Sequence, residues 1–349
     1  MTLGDWLWAI PVFGLLIFIH ELGHFAVAKY FDFHVQEFAL GFGPVLVGWG
    51  RGETRYNLRL VPLGGYVRMA GTEEGESEDP RGFNKKPVLM RAAVIAAGPI
   101  MNFALAAALF AGFQYVTGSP DPLSVLGGVA QQCQVMGAGG QATMVTCPSY
   151  QAGLQPGDRV IAINGKPVSR WEEILRIVTT SDGKPLAFRI QRGSETKELT
   201  MTPVYSEGRW VVGILQAVKK GSLVDAVVQG PRLTWEVSKS WVVGLWEMVS
   251  GRIKPQLSGP VGITREIAQQ AAQGWDNLLW LTAFLSINLG MFNLLPIPAL
   301  DGARLLFMGV EVARGRRLDP QRENMVHFVG FLLLIGLMLV VTYGEIVRR

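Results

Sequence analysis

His20-Glu21-Leu22-Gly23-His24 interrupts an apolar run that begins at residue 6 and resumes as Phe25-Ala26-Val27-Ala28. A helical period puts residues four apart on one face, so the two imidazoles can hold a single Zn2+ ion. Glu21 stands three residues before His24, where its carboxylate can take a proton from a metal-activated water. Three ionisable groups inside a membrane-type segment are expensive, and that expense asks for a function. The alternative is a soluble amphipathic helix that matches the pattern by chance, and the flanks are too apolar for it.

The 349 residues are 49% hydrophobic and 17% charged, a membrane protein's composition with room for one soluble domain. The net charge of +4 is mild and suggests no nucleic-acid partner. The first apolar segment lacks a basic leader and carries the zinc motif, so it is expected to stay as structure, not to be cleaved as a signal peptide. Four spans are expected near residues 6–31, 88–116, 278–295 and 325–343. Lys and Arg gather between the first two (Lys29 to Arg91) and between the last two (Arg304 to Arg322). Both loops should then be cytoplasmic, with 119–277 and both termini outside. His20 and His24 fall in the cytoplasmic half of the first span, inside the lipid bilayer.

Residues 37–69 are rich in Gly and β-formers, with a turn read at 48–52. Beside the zinc helix they could form a small sheet dipping into the membrane, where non-helical backbone needs protein or water cover. An ordinary cytoplasmic hairpin is the other reading. Residues 72–86 begin with an acidic stretch that reads as a loop. Residues 119–217 form the soluble domain, with Ala152-Gly153-Leu154-Gln155-Pro156-Gly157-Asp158-Arg159-Val160 leading to Ile163-Asn164-Gly165. That reads as turn, strand and Asn-Gly turn, with a short amphipathic helix at 171–179 and two strands beyond. In 233–250, Trp235, Trp241 and Trp246 recur among aliphatic residues and a few charges, which reads as an interfacial helix; a fifth span is the alternative.

Near the end of the third span stands Asn293-Leu294-Leu295-Pro296-Ile297-Pro298-Ala299-Leu300-Asp301-Gly302. The prolines break the helix, and Asp301 lies just beyond, placed to give a carboxylate to a metal. Two histidines, one carboxylate and a water form a known catalytic zinc set.

With these residues the chain resembles the bacterial site-2 proteases, zinc metalloproteases that cut within membranes during regulated intramembrane proteolysis. The resemblance runs over nearly the whole chain. Its marks are the 20–24 motif, Gly41-Phe42-Gly43-Pro44, Gly64-Gly65-Tyr66-Val67, Gly98-Pro99-Ile100-Met101-Asn102-Phe103, the turn at 152–160 (which resembles a PDZ domain), Gly259-Pro260-Val261-Gly262-Ile263 and the 293–302 stretch. It implies one zinc per chain on His20, His24 and Asp301, with Glu21 catalytic. It implies substrate contacts at Asn293, Pro296 and Pro298, at Asn102, and at Gly64 and Gly65 of a membrane-reentrant β-loop. The fold it implies has four transmembrane helices, that reentrant loop at 37–69 and one extracytoplasmic α+β PDZ domain. The blocks are 1–118, 119–217, 218–277 and 278–349. Substrates are single-span membrane proteins, such as trimmed anti-sigma factors or remnant signal peptides, cut first by a site-1-type protease. The location is a bacterial inner membrane, with the active site toward the cytoplasm. Relatives in enteric bacteria carry tandem PDZ domains, and this chain has room for one.

A PDZ groove takes an extended peptide as an added strand, and its carboxylate loop is expected at Leu126-Gly127-Gly128-Val129. The domain could act as a size filter or as a ligand-triggered gate. Cys133 and Cys147 lie in the domain expected outside the cytoplasm, with the flexible 137–140 segment between them, so a disulfide is expected, the alternative being two buried thiols. A receptor without catalysis would need neither Glu21 nor a third ligand, and a zinc transporter would need a longer polar path. His34 and His327 match no motif; the first reads as an interface residue, the second as facing headgroups or the bundle.

Overall fold

A computed structural model of the chain describes residues 3–71, 79–136, 142–206, 208–253, 258–316 and 319–347. The acidic stretch at 72–78 and the glycine segment at 137–140 lie outside these residues. The chain divides into two compact units, Met1–Gln114 with Ala226–Arg349, and Tyr115–Asp225. In chain order the helices are α1 (Leu3–Tyr30), α2 (Val88–Thr117), α3 (Pro148–Gln151), α4 (Trp171–Thr179), α5 (Leu223–Val249), α6 (Pro260–Gln273), α7 (Trp275–Leu294), α8 (Asp301–Arg314) and α9 (Pro320–Val347). Four described stretches are long and apolar enough to cross a membrane: Leu7–Tyr30, Val88–Thr117, Trp275–Leu294 and Gln321–Val347. They coincide closely with the four segments read from sequence.

Apolar helices in lipid gain little from hydrophobic contact with each other, so small residues that allow close approach do the joining. A Cβ on Gly23 of α1 would strike the Ala97 carbonyl of α2, and one on Gly230 of α5 the Ala107 carbonyl. Ala9, Val12 and Leu16 of α1 pack with Ile267 of α6 and with Leu278 and Leu281 of α7. Glu345 of α9 accepts the Gly259 N–H at 2.6 Å and the Gly262 N–H at 3.2 Å. The Gly259–Gly262 stretch is thus the start of α6, its free N–H groups met by a carboxylate.

Helix α5 begins ten residues before the segment read as interfacial. Its buried stripe, Ala226, Gly230 and Thr234, is continued by Leu233 and Val237, which pack on Ala106 and Phe110 of α2 and on Ala283 and Ile287 of α7. Trp241 donates its indole N–H to Asn288 at 2.7 Å, while Trp235 and Trp246 stay exposed.

Strands β1 (Val35–Arg51) and β2 (Thr54–Met69) meet at a tight turn where Gly52 has φ 64°. Their register is double. Phe38 to Leu40 pair with Val67 to Gly65 on one side and with Tyr56 to Leu58 on the other, while 45–51 fold back on 54–59. One sheet face is polar: Glu37 accepts hydrogen bonds from Arg59 (2.6 Å), Asn57 (2.6 Å) and Tyr66 (2.9 Å). The opposite face, with Phe38, Leu40, Trp49 and Leu58, lines an apolar hollow of about 440 Å³ against Phe18, Leu22 and Phe25 of α1. His34 pairs with Asp79 at 2.5 Å, and Glu53 at the turn pairs with Lys29 and Arg81, so the hairpin is tied to the end of α1.

The second unit is α+β. Its main sheet runs in the order Glu195–Met201, Leu186–Arg192, Arg159–Ile163, Lys166–Pro167. Alternate strand residues Val160, Phe188 and Ile190 meet Trp171, Ile174 and Val178 from one face of α4 in a single core. Asn164 (φ 49°) and Gly165 (φ 75°) make the expected turn. Cys133 and Cys147 are joined as a disulfide across the hairpin of Gln132–Met136 and Ala142–Thr146.

Candidate metal centre

Helix α1 carries His20 and His24 one turn apart, and α8 opens with Asp301. The two imidazole Nε2 atoms are 3.1 Å apart, and they lie 3.2 and 3.4 Å from Asp301 Oδ2. Among the described residues these three are the group of side chains that could hold a metal ion. Zinc with ligands at about 2.0–2.2 Å in tetrahedral array spaces them about 3.3–3.6 Å apart, close to what is seen.

The proton positions strengthen the fit. His24 Nδ1–H donates to the Val94 carbonyl at 2.8 Å, which leaves the Nε2 lone pair facing the cluster. Asp301 Oδ2 is buried and receives no hydrogen bond. With both Nε2 atoms unprotonated, three lone pairs converge on one point, an arrangement suited to a cation.

Asn102 is fully buried on α2, its amide 3.1 Å from His20 Nδ1 and its oxygen without a donor. Turning that amide by 180° sets Oδ1 against a protonated Nδ1 and frees His20 Nε2 for metal. Asn102 thus sits against the His20 ring. Gly98 explains another part of the same motif, because a Cβ there would collide with both histidine rings.

Asp301 is set by the break after α7. Leu300 is the N-cap of α8, so the carboxylate sits on the first turn, where the helix dipole favours negative charge. A Cβ on Gly302 would collide with the carbonyls of Leu294 and Leu295. The far end of α8 is held by a buried pair, Arg91 to Glu311 at 2.6 Å. Asn293 donates to the Leu289 carbonyl at 3.0 Å in the last turn of α7, Pro296 is exposed, and Pro298 packs on Gly330 of α9.

Glu21 lies under the hairpin. A Cβ on Gly65 would come within 2.9 Å of Glu21 Cγ and 3.0 Å of the Ala39 carbonyl, so only glycine lets this strand pass so close. Gly64, with φ 114°, is covered by the Phe42 ring.

Leu126-Gly127-Gly128-Val129, the expected carboxylate loop, forms a strand of the second unit. Leu126 is in the core, and Leu126–Val129 pairs with Ile214–Gln216 on one side. On its other side Leu126 donates to the Asp158 carbonyl and accepts the Gly157 N–H. The cleft beside α4, about 170 Å³, is lined by Ile174, Val178, Val211, Gly213 and Leu215.

Residues 8–337 match peptidase family M50. The chain is 34% identical to the zinc metalloprotease RasP of Geobacillus kaustophilus, over 97% of this chain and 96% of that protein. It is 32% identical to the regulator of sigma-W protease RasP of Bacillus subtilis, over 97% of each. Among solved structures it is similar over 25% of its length to 88% of a PDZ domain from a Listeria monocytogenes SdrC-like protein (16% identity, TM-score 0.19). It is also similar over 26% of its length to 97% of the HtrA3 PDZ domain (21% identity, TM-score 0.16). With its membrane-type helices and converging donors, the chain belongs to peptidase family M50, the site-2 proteases, and is a zinc metalloprotease.

Proposed function

We propose that His20, His24 and Asp301 hold one zinc ion and that the protein cleaves single-span membrane proteins within the bilayer. The observation that carries this is Asp301 Oδ2, a buried oxygen facing two imidazole lone pairs with no N–H aimed at it. A zinc ion held there would supply Lewis-acid polarisation of the scissile carbonyl and would lower the pKa of the attacking water. Glu21 takes the proton from that water and returns it to the leaving amine. Val94 and Asn102 hold the two imidazoles in the tautomer that keeps Nε2 inward.

A substrate helix must first unwind, since its carbonyls are bonded within the helix. The unwound segment adds to the edge strand at Gly64–Val67, next to Glu21, so that its backbone groups stay paired in the membrane. Asn293 and the Pro296–Pro298 turn border the other side of the segment. The relative named for sigma-W regulation supports trimmed anti-sigma factors as one substrate class; remnant signal peptides as another, and a site-1-type protease acting first, follow from the family resemblance alone. The lysines and arginines flanking the spans support a cytoplasmic opening to the site, with the Tyr115–Asp225 unit outside, acting as a size filter on access. Cysteine labels at Arg316 should react from the cytoplasm and at Ser194 from outside.

The test compares membrane-fraction proteomes of cells carrying the active protein or Glu21→Gln. Trimmed single-span fragments should accumulate with Glu21→Gln. Identical fragment profiles would reject the proposed activity.

A further inference from the structure

We infer that His327, on the last helix, is a positioning residue for the third metal ligand; this rests on the zinc reading above. His327 Nδ1 accepts the Ala299 N–H at 2.9 Å, and Ala299 stands two residues before Asp301. Ala299 has φ 77°, a left-handed conformation that a residue with a Cβ keeps only when its surroundings enforce it. The segment lies between two prolines and the start of α8, so its N–H has no helical partner, and in an apolar setting an unpaired N–H is costly.

The ring is wedged in place. It packs edge-on against Phe307 of α8, centroids 5.6 Å apart. One turn further along α9, Gly330 abuts Pro298 so closely that a Cβ would overlap it. The loop before Asp301 is thus held from α9 at two adjacent points. Because Nδ1 accepts, Nε2 carries the proton, yet Nε2 is buried without a partner. An apolar residue would avoid that unpaired donor, so the acceptor at Nδ1 is what the histidine contributes. Metal ligands tolerate displacements of only about 0.2 Å, so a loosened turn at residue 299 reaches the carboxylate two residues on.

The test uses the full chain in detergent, with zinc affinity from chelator competition and the visible spectrum of the Co2+-substituted protein. His327→Leu should weaken zinc binding about tenfold, the low end for groups that orient ligands, and should shift the Co2+ bands. His327→Asn, whose Oδ1 falls where Nδ1 does, should restore both. Gly330→Ala should weaken binding through the Pro298 overlap, and Phe328→Ala, one residue along and exposed, should change neither readout. Wild-type affinity and an unshifted spectrum in His327→Leu would overturn the inference while leaving the zinc reading intact. Failure of the wild-type chain to bind zinc at all would overturn that reading, and with it this one.

Discussion

Asp158 is a buried carboxylate of one unit and Asp301, half-buried with a buried Oδ2, one of the other, and their surroundings are opposite. Asp158 is saturated: Arg192 donates to Oδ1 at 2.7 Å and to Oδ2 at 2.8 Å, and the Gln155 N–H donates to Oδ2 at 2.9 Å. Asp301 Oδ2 faces two imidazole nitrogens within 3.4 Å and receives no hydrogen bond. A satisfied buried charge fastens a fold. An unsatisfied one surrounded by other lone pairs is a place held for a cation. The two carboxylates should therefore respond to mutation in opposite ways.

The largest expected effect is at the metal centre. Asp301→Ala should abolish both bound zinc, read by metal analysis of the purified protein, and substrate cleavage. Glu21→Gln should keep the zinc and lower turnover by about 10²- to 10⁴-fold, the share of a general base. In metal-free protein, Asp301→Ala should not lower stability, because it removes one of three facing lone pairs. A large loss of metal-free stability would break the contrast with Asp158.

Asp158→Ala should do the reverse, leaving zinc content unchanged and destabilising the second unit by about 3 kcal/mol, since Arg192 loses a buried partner. Denaturant titration followed by proteolysis between residues 115 and 225 would measure this. The same pair sets a pH dependence. Burial pushes the Asp158 carboxyl up, but Arg192 and the Gln155 N–H more than offset it, so it titrates below the usual carboxylate range. Its stabilisation is then complete above the unfolded value near pH 4 and is lost as pH falls toward the folded one. Asp158→Asn should flatten that acid limb.

Opening the Cys133–Cys147 disulfide should cost the second unit about 3 kcal/mol, as expected for a loop of 14 residues. Unfolding with and without reductant reads it, and equal midpoints would show that the unit does not depend on the bond. The smallest effect sharpens the comparison inside the metal centre. Asn102→Ala should weaken zinc binding about tenfold, by releasing the His20 ring without removing a ligand. A loss as complete as that of Asp301→Ala would instead make Asn102 part of the ligand set.

What the sequence by itself determined is what short-range geometry determines. His20 and His24 share a face because a helix repeats every 3.6 residues. Residues 88–116 span because they are long and apolar, and Asn164-Gly165 turns because both positions accept positive φ. Asp301 is legible only together with His20-Glu21-Leu22-Gly23-His24, since nothing local tells a helix-start aspartate from a metal ligand. Tertiary structure decided the rest, because each remaining role depends on a partner far along the chain. Leu126–Val129 gives no sign in sequence of its strand partner, Ile214–Gln216, more than 80 residues on. Asn102 reads as a polar residue in a span until His20, 82 positions earlier, meets it. His327 reads as an unmatched histidine until the chain returns it to Ala299. A hydrogen bond is specific in space and silent in sequence, so the residues that orient the metal ligands emerge only when the helices are packed.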